Sequence, residues 1–345
     1  MKLRVFTAFS GYDSQCLALD RLKAQFPDFD YELVGWSEID KYAIQAHNAL
    51  YPQWADRNYG DISKIDWNDV PDFDLFTYSS PCQDFSNAGL QRGGEEGSGT
   101  RSSLLWECRR AIVAKRPKYL LLENVAALVS QKFLPLFNRW QAELASYGYS
   151  NFAQVLNAKD YGVPQNRERV FLVSILGNAS YHFPKEMPLD KRLKDVLESN
   201  VDEKYYLSDK TVASFAEHCE RKQAEGCGFK FEPTDGGGVF IDTYNQTINK
   251  DITGTILTRI NDSNHYFVME ETTIKEYRIR RLTPRECFRL MGVDDNDIDK
   301  IQAVGISNSQ QYKMAGNSIV VDVLYHLFRK MFCETENEQQ QMTLF

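Results

Sequence analysis

The sequence predicts an α/β protein: a mostly parallel, doubly wound sheet with a smaller second unit inserted before the last helix. Three observations carry this. Short apolar, strand-like runs alternate with helical patterns from Leu3 to Ile175, the arrangement of a parallel sheet covered by helices on both faces. That alternation stops near Phe183, where Pro184, Pro188, Pro233 and the glycine triplet at 236–238 break the chain into short, irregular pieces. An apolar helical stretch from Ile319 to Phe332 then follows, amphipathic enough to pack back on the first unit. The expected division is residues 1–185 with 310–333, an inserted unit of 186–309, and a frayed polar tail of 334–345.

Taken in order, Leu3 to Phe9 reads as a strand running into the turn Ser10-Gly-Tyr-Asp-Ser-Gln15. Cys16, Leu17, Leu19 and Leu22 then fall at helical spacing. Tyr31 to Trp36 reads as the next strand, Ser37-Glu-Ile-Asp40 as its loop, and Ala43, Ile44 and Ala46 as one face of a helix. A further turn closes on Gly60-Asp-Ile62, with Asp61 expected after a third strand. Phe73 to Phe76 is strand, Ser102 to Ala114 helix, and Tyr119 to Leu122 strand, ending in Glu123-Asn-Val125. Phe133 to Tyr147 is helical, and two strands lie near Phe152 to Leu156 and Val170 to Ile175. In such sheets the ligand lies beyond the carboxyl ends of the strands. Asp13, Glu38, Asp61, Cys82 and Glu123 all follow predicted strands and should converge on one rim.

Composition bounds the function. The 345 residues, 43% apolar and 13% aromatic, suffice for a large core. No apolar run is long enough to cross a membrane, and Met1-Lys-Leu-Arg leads straight into a strand rather than a signal peptide. Seven cysteines without a C-x-x-C pair indicate neither a disulfide framework nor a zinc site, and suit a reducing, intracellular setting. The net charge of -8 weighs mildly against nucleic acid as partner, although binding depends on a local basic face. No metal is expected.

Cys82 stands where a buried strand meets the run Gly93-Gly-Glu-Glu-Gly-Ser-Gly99, with Pro81 stiffening the backbone before the thiol. Glu38, at the end of the second strand, is placed to accept from two ribose hydroxyls, and Asp61 from an adenine amino group. No phosphate-binding lysine motif is present, so the pattern points to an adenosine-containing ligand other than a triphosphate. Glu123 follows an all-apolar strand, and burial there would raise its pKa and fit it to donate a proton. Alternation along Gln165-Asn-Arg-Glu-Arg169 puts Gln165, Arg167 and Arg169 on one face, a grip for a carboxylate, phosphate or carbonyl oxygen.

Ser80-Pro-Cys-Gln83, Glu123-Asn-Val125, Gln165-x-Arg167-x-Arg169, Arg281-Leu-Thr-Pro-Arg-Glu-Cys-Phe-Arg-Leu-Met-Gly292 and Ala315-Gly-Asn-Ser-Ile319 occur in that order. Together they resemble the motif series of the cytosine-C5 DNA methyltransferases, whose catalytic domain has the Rossmann-like class I methyltransferase fold. Phe9-x-Gly11, Glu38, Gly60-Asp61 and Thr100-Arg-Ser-Ser-Leu104 match that family's cofactor side. The resemblance spans nearly the whole chain except about 185–275.

What the resemblance implies is methyl transfer from S-adenosylmethionine to C5 of a flipped-out cytosine in double-stranded DNA, yielding S-adenosylhomocysteine. Cys82 would add to C6, Glu123 donate to N3, Arg169 bind O2, and Arg167 hold the loop or a backbone phosphate. Phe9, Gly11, Asp13, Glu38, Ile39, Asp61, Ile62, Pro81, Leu104, Asn317 and Ser318 would line the cofactor. Gln83, Ser86, Gln165, Thr255, Ile256, Arg259, Arg280 and Arg281 would meet the nucleic acid, and the segment Gln83 to Gly99 would close over the base. Asp13 stands where the family has a second glycine, and is expected to meet the methionine amino group or to tilt outward. A monomer is expected, acting in the cytoplasm at the nucleoid, with a cognate restriction endonuclease as possible partner. Two alternatives share these motifs: a tRNA cytosine methyltransferase and a non-catalytic DNA-binding relative. A cysteine hydrolase is set aside because none of the five histidines stands beside a suitable motif.

Overall fold

The computed structural model describes residues 2–81, 104–226, 239–242, 247–249, 251–258, 266–271 and 277–334. It divides into two compact units. The first holds the chain up to Asn157, Glu168–Glu186, and the chain from Ser318; the second holds Ala158–Arg167 and Met187–Asn317. The return to the first unit, expected at residue 310, falls at Ser318, and residues 158–167, expected in the first unit, belong to the second. The backbone explains the second difference: Thr253 N donates to Pro164 O (2.9 Å) and Asn166 N to Thr253 O (2.7 Å), binding this stretch to the second unit.

The first unit is built on six strands: β1 (Lys2–Ala8), β2 (Asp30–Ser37), β3 (Leu75–Tyr78), β4 (Tyr119–Val125), β5 (Tyr149–Asn157) and β6 (Glu168–Leu176). Their order is β2-β1-β3-β4-β6-β5. β1 pairs in parallel with β2 and β3, and β3 with β4, whereas β6 runs antiparallel to β4 and β5. Residues 158–167 are too few for a helical crossover, so β5 and β6 must be antiparallel.

Phe6, Ala8, Phe76, Tyr78, Leu120, Leu122, Val170 and Leu172 alternate along their strands and join one core with Trp67, Phe73, Trp106, Ile112, Phe137 and Trp140. The aromatics of that core come partly from α3 (Leu105–Lys115) and α4 (Leu134–Ser146). Val5, Leu33, Leu75, Leu121 and Val173, of opposite parity, are equally buried, so both faces of the sheet are covered. α1 (Ser14–Gln25) packs against α9 (Val321–Phe332). Arg21 pairs with Asp322 there, and Phe332 stacks on Phe29 and Phe328. Burial, reinforced by the Arg329 guanidinium, pushes His326 of α9 down to about 4.

The sign of that shift sets an acid sensitivity. As pH falls below the ordinary histidine value of 6.5, the unfolded chain takes up a proton that the folded chain refuses. The contribution of His326 is therefore complete above that value and is lost progressively towards about 4. His326→Gln should narrow the gap between urea midpoints measured at about pH 7.5 and about pH 4.5; an unchanged gap would contradict this.

The second unit contains an antiparallel sheet, β10-β9-β7-β8, from β7 (Val239–Asp242), β8 (Thr247–Asn249), β9 (Tyr266–Glu271) and β10 (Tyr277–Arg281). Ile241, Phe267, Met269 and Ile279 form its core with Leu207 and with Val212 of α5 (Asp209–Ala224). α6 (Pro284–Arg289), α7 (Asp295–Ala303) and α8 (Asn308–Asn317) follow. α6 starts with the expected capping box: Glu286 N donates to Thr283 Oγ1 (3.2 Å) and Thr283 N to Glu286 Oε2 (2.7 Å).

Candidate active site

The strand order reverses at β1, and the register sets Ala8 beside both Ser37 and Tyr78. The carboxyl ends of three strands thus meet where α/β sheets bind ligands. From Ala8 the chain makes a tight turn in which Phe9, Gly11 and Asp13 take φ of 55°, 60° and 70°. Asp13 N donates to Ser10 O (2.8 Å) and Ser10 N to Ser37 O (3.2 Å). Gly11 N donates to Glu38 Oε2 (3.0 Å), and Glu38 Oε1 accepts from Ile39 N and Asp40 N, both at 2.8 Å. Glu38 is half-buried and Ile39 is 72% exposed beside it.

Asp61 follows no strand, contrary to expectation. Asn58 does the positioning: its Oδ1 accepts from Glu38 N (3.2 Å) and Gly60 N (2.9 Å), while Nδ2 donates to Glu38 O (3.1 Å). Ser37 Oγ donates to Gly60 O (2.6 Å), completing the link to β2. Hydrogen bonds from the Ser63 hydroxyl and amide hold the Asp61 carboxyl below the usual range. Ile62 belongs to the core, so its side chain is structural rather than ligand-facing. Phe9 leans on the same core half-buried, and Pro81 and Leu104 are half-buried as well. Ser318 Oγ hydrogen-bonds the Tyr12 hydroxyl at 2.7 Å, bringing the segment before α9 to the first turn. Asn317, the last residue of α8, is exposed and belongs to the second unit.

Asp13 does not tilt outward. Its carboxylate is fully buried, caps α1 at Cys16 N (3.2 Å), and accepts from Thr7 Oγ1 (2.8 Å). The carboxylate is thus taken up by Thr7 and Cys16 inside the fold rather than presented at the rim.

On the chemical side, Glu123 lies within β4 and is 7% exposed. β4 and β6 set Val125 opposite Arg169, two residues along from Glu123 and so on the same face. Arg169 Nε stands 3.1 Å from Glu123 Oε1, and Arg169 Nη1 donates to Glu168 O (2.7 Å). Asn124, buried between them in sequence, donates to Ser80 O (3.1 Å) and accepts from Val125 N (2.9 Å). It ties β4 to Ser80, just before Pro81. Cys82 itself, Gln83, Ser86, Arg259 and the expected lid lie outside the described residues.

The other expected contacts turn inward. Gln165 is buried, donating to Leu290 O (2.6 Å) and accepting from Ile256 N (2.9 Å). Arg167 donates to Ile256 O (3.2 Å) and Gly316 O (3.0 Å). Both side chains hold the backbone of Ile256, which is itself buried. The close packing explains Gly316, where a Cβ would come within 2.5 Å of the Leu257 and Thr258 backbone. Thr255 Oγ1 donates to Asn166 O (2.9 Å). Arg280 and Glu286 are fully buried and joined twice, at 2.8 and 2.7 Å, so Arg280 is no phosphate ligand. Arg281 is half-buried with Nη2 on Lys204 O (2.6 Å). Arg289 and Arg285 pair with Asp295, and the first of these holds Asp295 below the usual carboxylate range.

Comparison with known proteins places this geometry. The sequence model described as C-5 cytosine-specific DNA methylase matches residues 3–333. The chain belongs to this family. The type II methyltransferase M2.ScrFI of Lactococcus lactis subsp. cremoris is 36% identical to this methylase, over 96% of its chain and 99% of the relative. The orphan methyltransferase M.SPRI of Bacillus phage SPR is 30% identical over 99% and 100%. Among solved structures, the Entamoeba histolytica methyltransferase EhMeth matches with a TM-score of 0.69 at 17% identity, over 96% of this chain and 98% of that one. The S. pombe Dnmt2 methyltransferase gives 0.66 at 18%, over 95% and 97%. These two likenesses concern the fold.

The motif pattern of the methylase missed Asn58, a lone asparagine in a loop that becomes a hinge between Glu38 and Gly60 only through contacts distant in sequence. It also missed His47, which the helical spacing of its segment marks only as inward-facing. Among the described residues no helix is long and apolar enough to cross a membrane, and no cluster of three metal-ligating side chains occurs.

Proposed function

We propose that this methylase transfers a methyl group from S-adenosylmethionine to C5 of a cytosine flipped out of double-stranded DNA, through a covalent bond from Cys82 to C6. The observation that carries the reading is the Glu123–Arg169 pair, 3.1 Å apart, beside the Asn124-anchored segment that leads into Cys82. A carboxyl and a guanidinium side by side match the adjacent N3 and O2 of the pyrimidine edge.

The end of β2 suits the cofactor: two carboxylates, Glu38 and Asp61, for ribose hydroxyls and an adenine amino group, and the exposed Ile39 as an apolar surface for the base. Pro81, Leu104 and Ser318 would complete that site. S-adenosylmethionine would supply the electrophilic methyl group. The chain's own residues do the rest. The Cys82 thiolate adds to C6, and the displaced π electrons move towards N3, where Glu123 delivers a proton while Arg169 holds O2. C5 thereby becomes nucleophilic. After C5 has gained the methyl group, water takes its proton, Glu123 recovers the proton of N3, and Cys82 leaves with the C6–S electron pair. Such chemistry needs the base out of the stack.

The first unit would hold cofactor and chemistry and the second would read DNA, with Gln165 and Arg167 shaping the segment around Thr255 rather than touching bases. The likeness to a type II enzyme supports a cognate endonuclease as partner, and that to an orphan phage enzyme a solitary role. Work on cellular DNA supports a cytoplasmic, nucleoid-associated location. Bisulfite sequencing of DNA from cells expressing the native protein or Cys82→Ala should find methylated cytosines within one sequence context in the native sample alone. Methylation in neither sample, with both proteins present and folded, would contradict the reading.

A further inference from the structure

We infer that Asp13 is a positioning residue: held by Thr7 and the Cys16 amide beside the buried His47 ring, it keeps the Gly11 amide against Glu38 and so sets affinity for the adenosine part of the cofactor. The inference rests on the proposed reading of this turn as the S-adenosylmethionine site. A tight turn with left-handed backbone needs only glycine, which takes such φ without a Cβ penalty. Here a carboxylate occupies the position at φ 70° and is buried completely, a costly arrangement unless the charge is well partnered.

The partners lie on three separate elements. Thr7 of β1 donates through Oγ1 at 2.8 Å and Cys16 of α1 through its amide at 3.2 Å, while His47 of α2 (Lys41–Leu50) packs against the carboxylate with Nε2 3.5 Å from Asp13 Oδ2 and no hydrogen bond between them. His47 is fully buried and stacks flat on Trp36, with ring centroids 3.7 Å apart and planes at 19°. Trp36 is anchored by Nε1 to Trp54 O (2.9 Å) and leads into Ser37 and Glu38. Asp13 is therefore the node joining the turn after β1 to the end of β2. Two residues before it, Gly11 N donates to Glu38 Oε2. Without the carboxylate the turn loses its fixed points on Thr7 and Cys16 and its packing against His47, and the Gly11 amide is free to drift from Glu38.

Calorimetric titration of the full-length native protein, Asp13→Gly, Asp13→Asn, Thr7→Val, Glu38→Ala and Asp13→Gly/Glu38→Ala tests this, with S-adenosylmethionine and adenosine as probes. Asp13→Gly should bind both probes about tenfold more weakly. Asp13→Asn keeps its one oxygen for the Cys16 amide, while its NH2 can donate to the Thr7 hydroxyl, and should stay within about threefold of the native protein. In the Glu38→Ala background, Asp13→Gly should change affinity no further, since the effect runs through Glu38. A merely structural role would lower the melting temperature without this coupling. Native affinity in Asp13→Gly, or an equal loss with and without Glu38, overturns the inference. If Asp13→Gly fails to fold, Thr7→Val decides, with a smaller shift in the same direction expected and native affinity overturning. Failure of the native protein to bind S-adenosylmethionine would sink the cofactor reading itself, and the inference with it; native binding that Glu38→Ala weakens and Asp13→Gly does not would sink the inference alone.

Discussion

Replacing Arg280 by alanine is expected to destabilise the second unit by about 3–5 kcal/mol, the range for breaking a buried ion pair from one side. Both partners are wholly out of water and meet through two parallel hydrogen bonds. Glu286 serves more than Arg280: it accepts from Thr283 N (2.7 Å) to cap α6 and from Glu198 N (2.8 Å). Alanine at 280 would leave this carboxylate buried and short of its cation, so stability should fall far more than on breaking an exposed pair such as Arg278–Glu203. Urea unfolding followed by circular dichroism measures the difference. Arg280→Met combined with Glu286→Gln should recover most of the loss, because no charge is stranded and the glutamine can still cap Thr283 N. A single Arg280→Ala variant within about 1 kcal/mol of native would contradict the assignment.

Glu123→Gln is expected to lower kcat by about 10²–10⁴-fold, the usual worth of a positioned proton donor. The glutamine keeps the shape and an oxygen for Arg169 but has no acidic proton to give to N3. The KM for S-adenosylmethionine should be little changed, because its expected partners stand at the ends of β1 and β2. Steady-state methylation of duplex DNA with each substrate varied in turn separates the two parameters. A loss confined to KM would make Glu123 a binding group only.

The sheet was legible because its signals are local. Apolar runs such as Leu120-Leu-Leu122 and the turn after Ala8 mark strands and their ends without reference to distant residues. The antiparallel β6 was not legible, since direction is set by how the chain returns through residues 158–167 in the second unit. Glu38 was placed correctly at the end of β2, whereas Asp61 reached its position through Asn58 and Ser37 and not through a strand. Charge misled most often. Arg280, Arg281, Arg285 and Arg289 form the most basic stretch of an acidic chain, yet Glu286, Lys204 O and Asp295 take up their guanidiniums. Gln165 and Arg167 share a motif with Arg169, but alternation along a strand ceases to apply where the chain leaves one unit for another. Asp13 shows the same limit: its partner Thr7 is near in sequence, but His47 arrives from a different helix.

The central claim is that Cys82 bonds to C6 of the target cytosine, and trapping that bond tests it most directly. A duplex carrying 5-fluorocytosine at a methylated position has no C5 proton to lose after methyl transfer, so elimination of Cys82 is blocked. With S-adenosylmethionine present, the native protein should form a denaturation-resistant adduct, and mass spectrometry of its peptides should find the modified nucleotide on Cys82. Cys82→Ala should form none and methylate no ordinary duplex. Methylation by Cys82→Ala, or an adduct carried by another residue, would contradict the account.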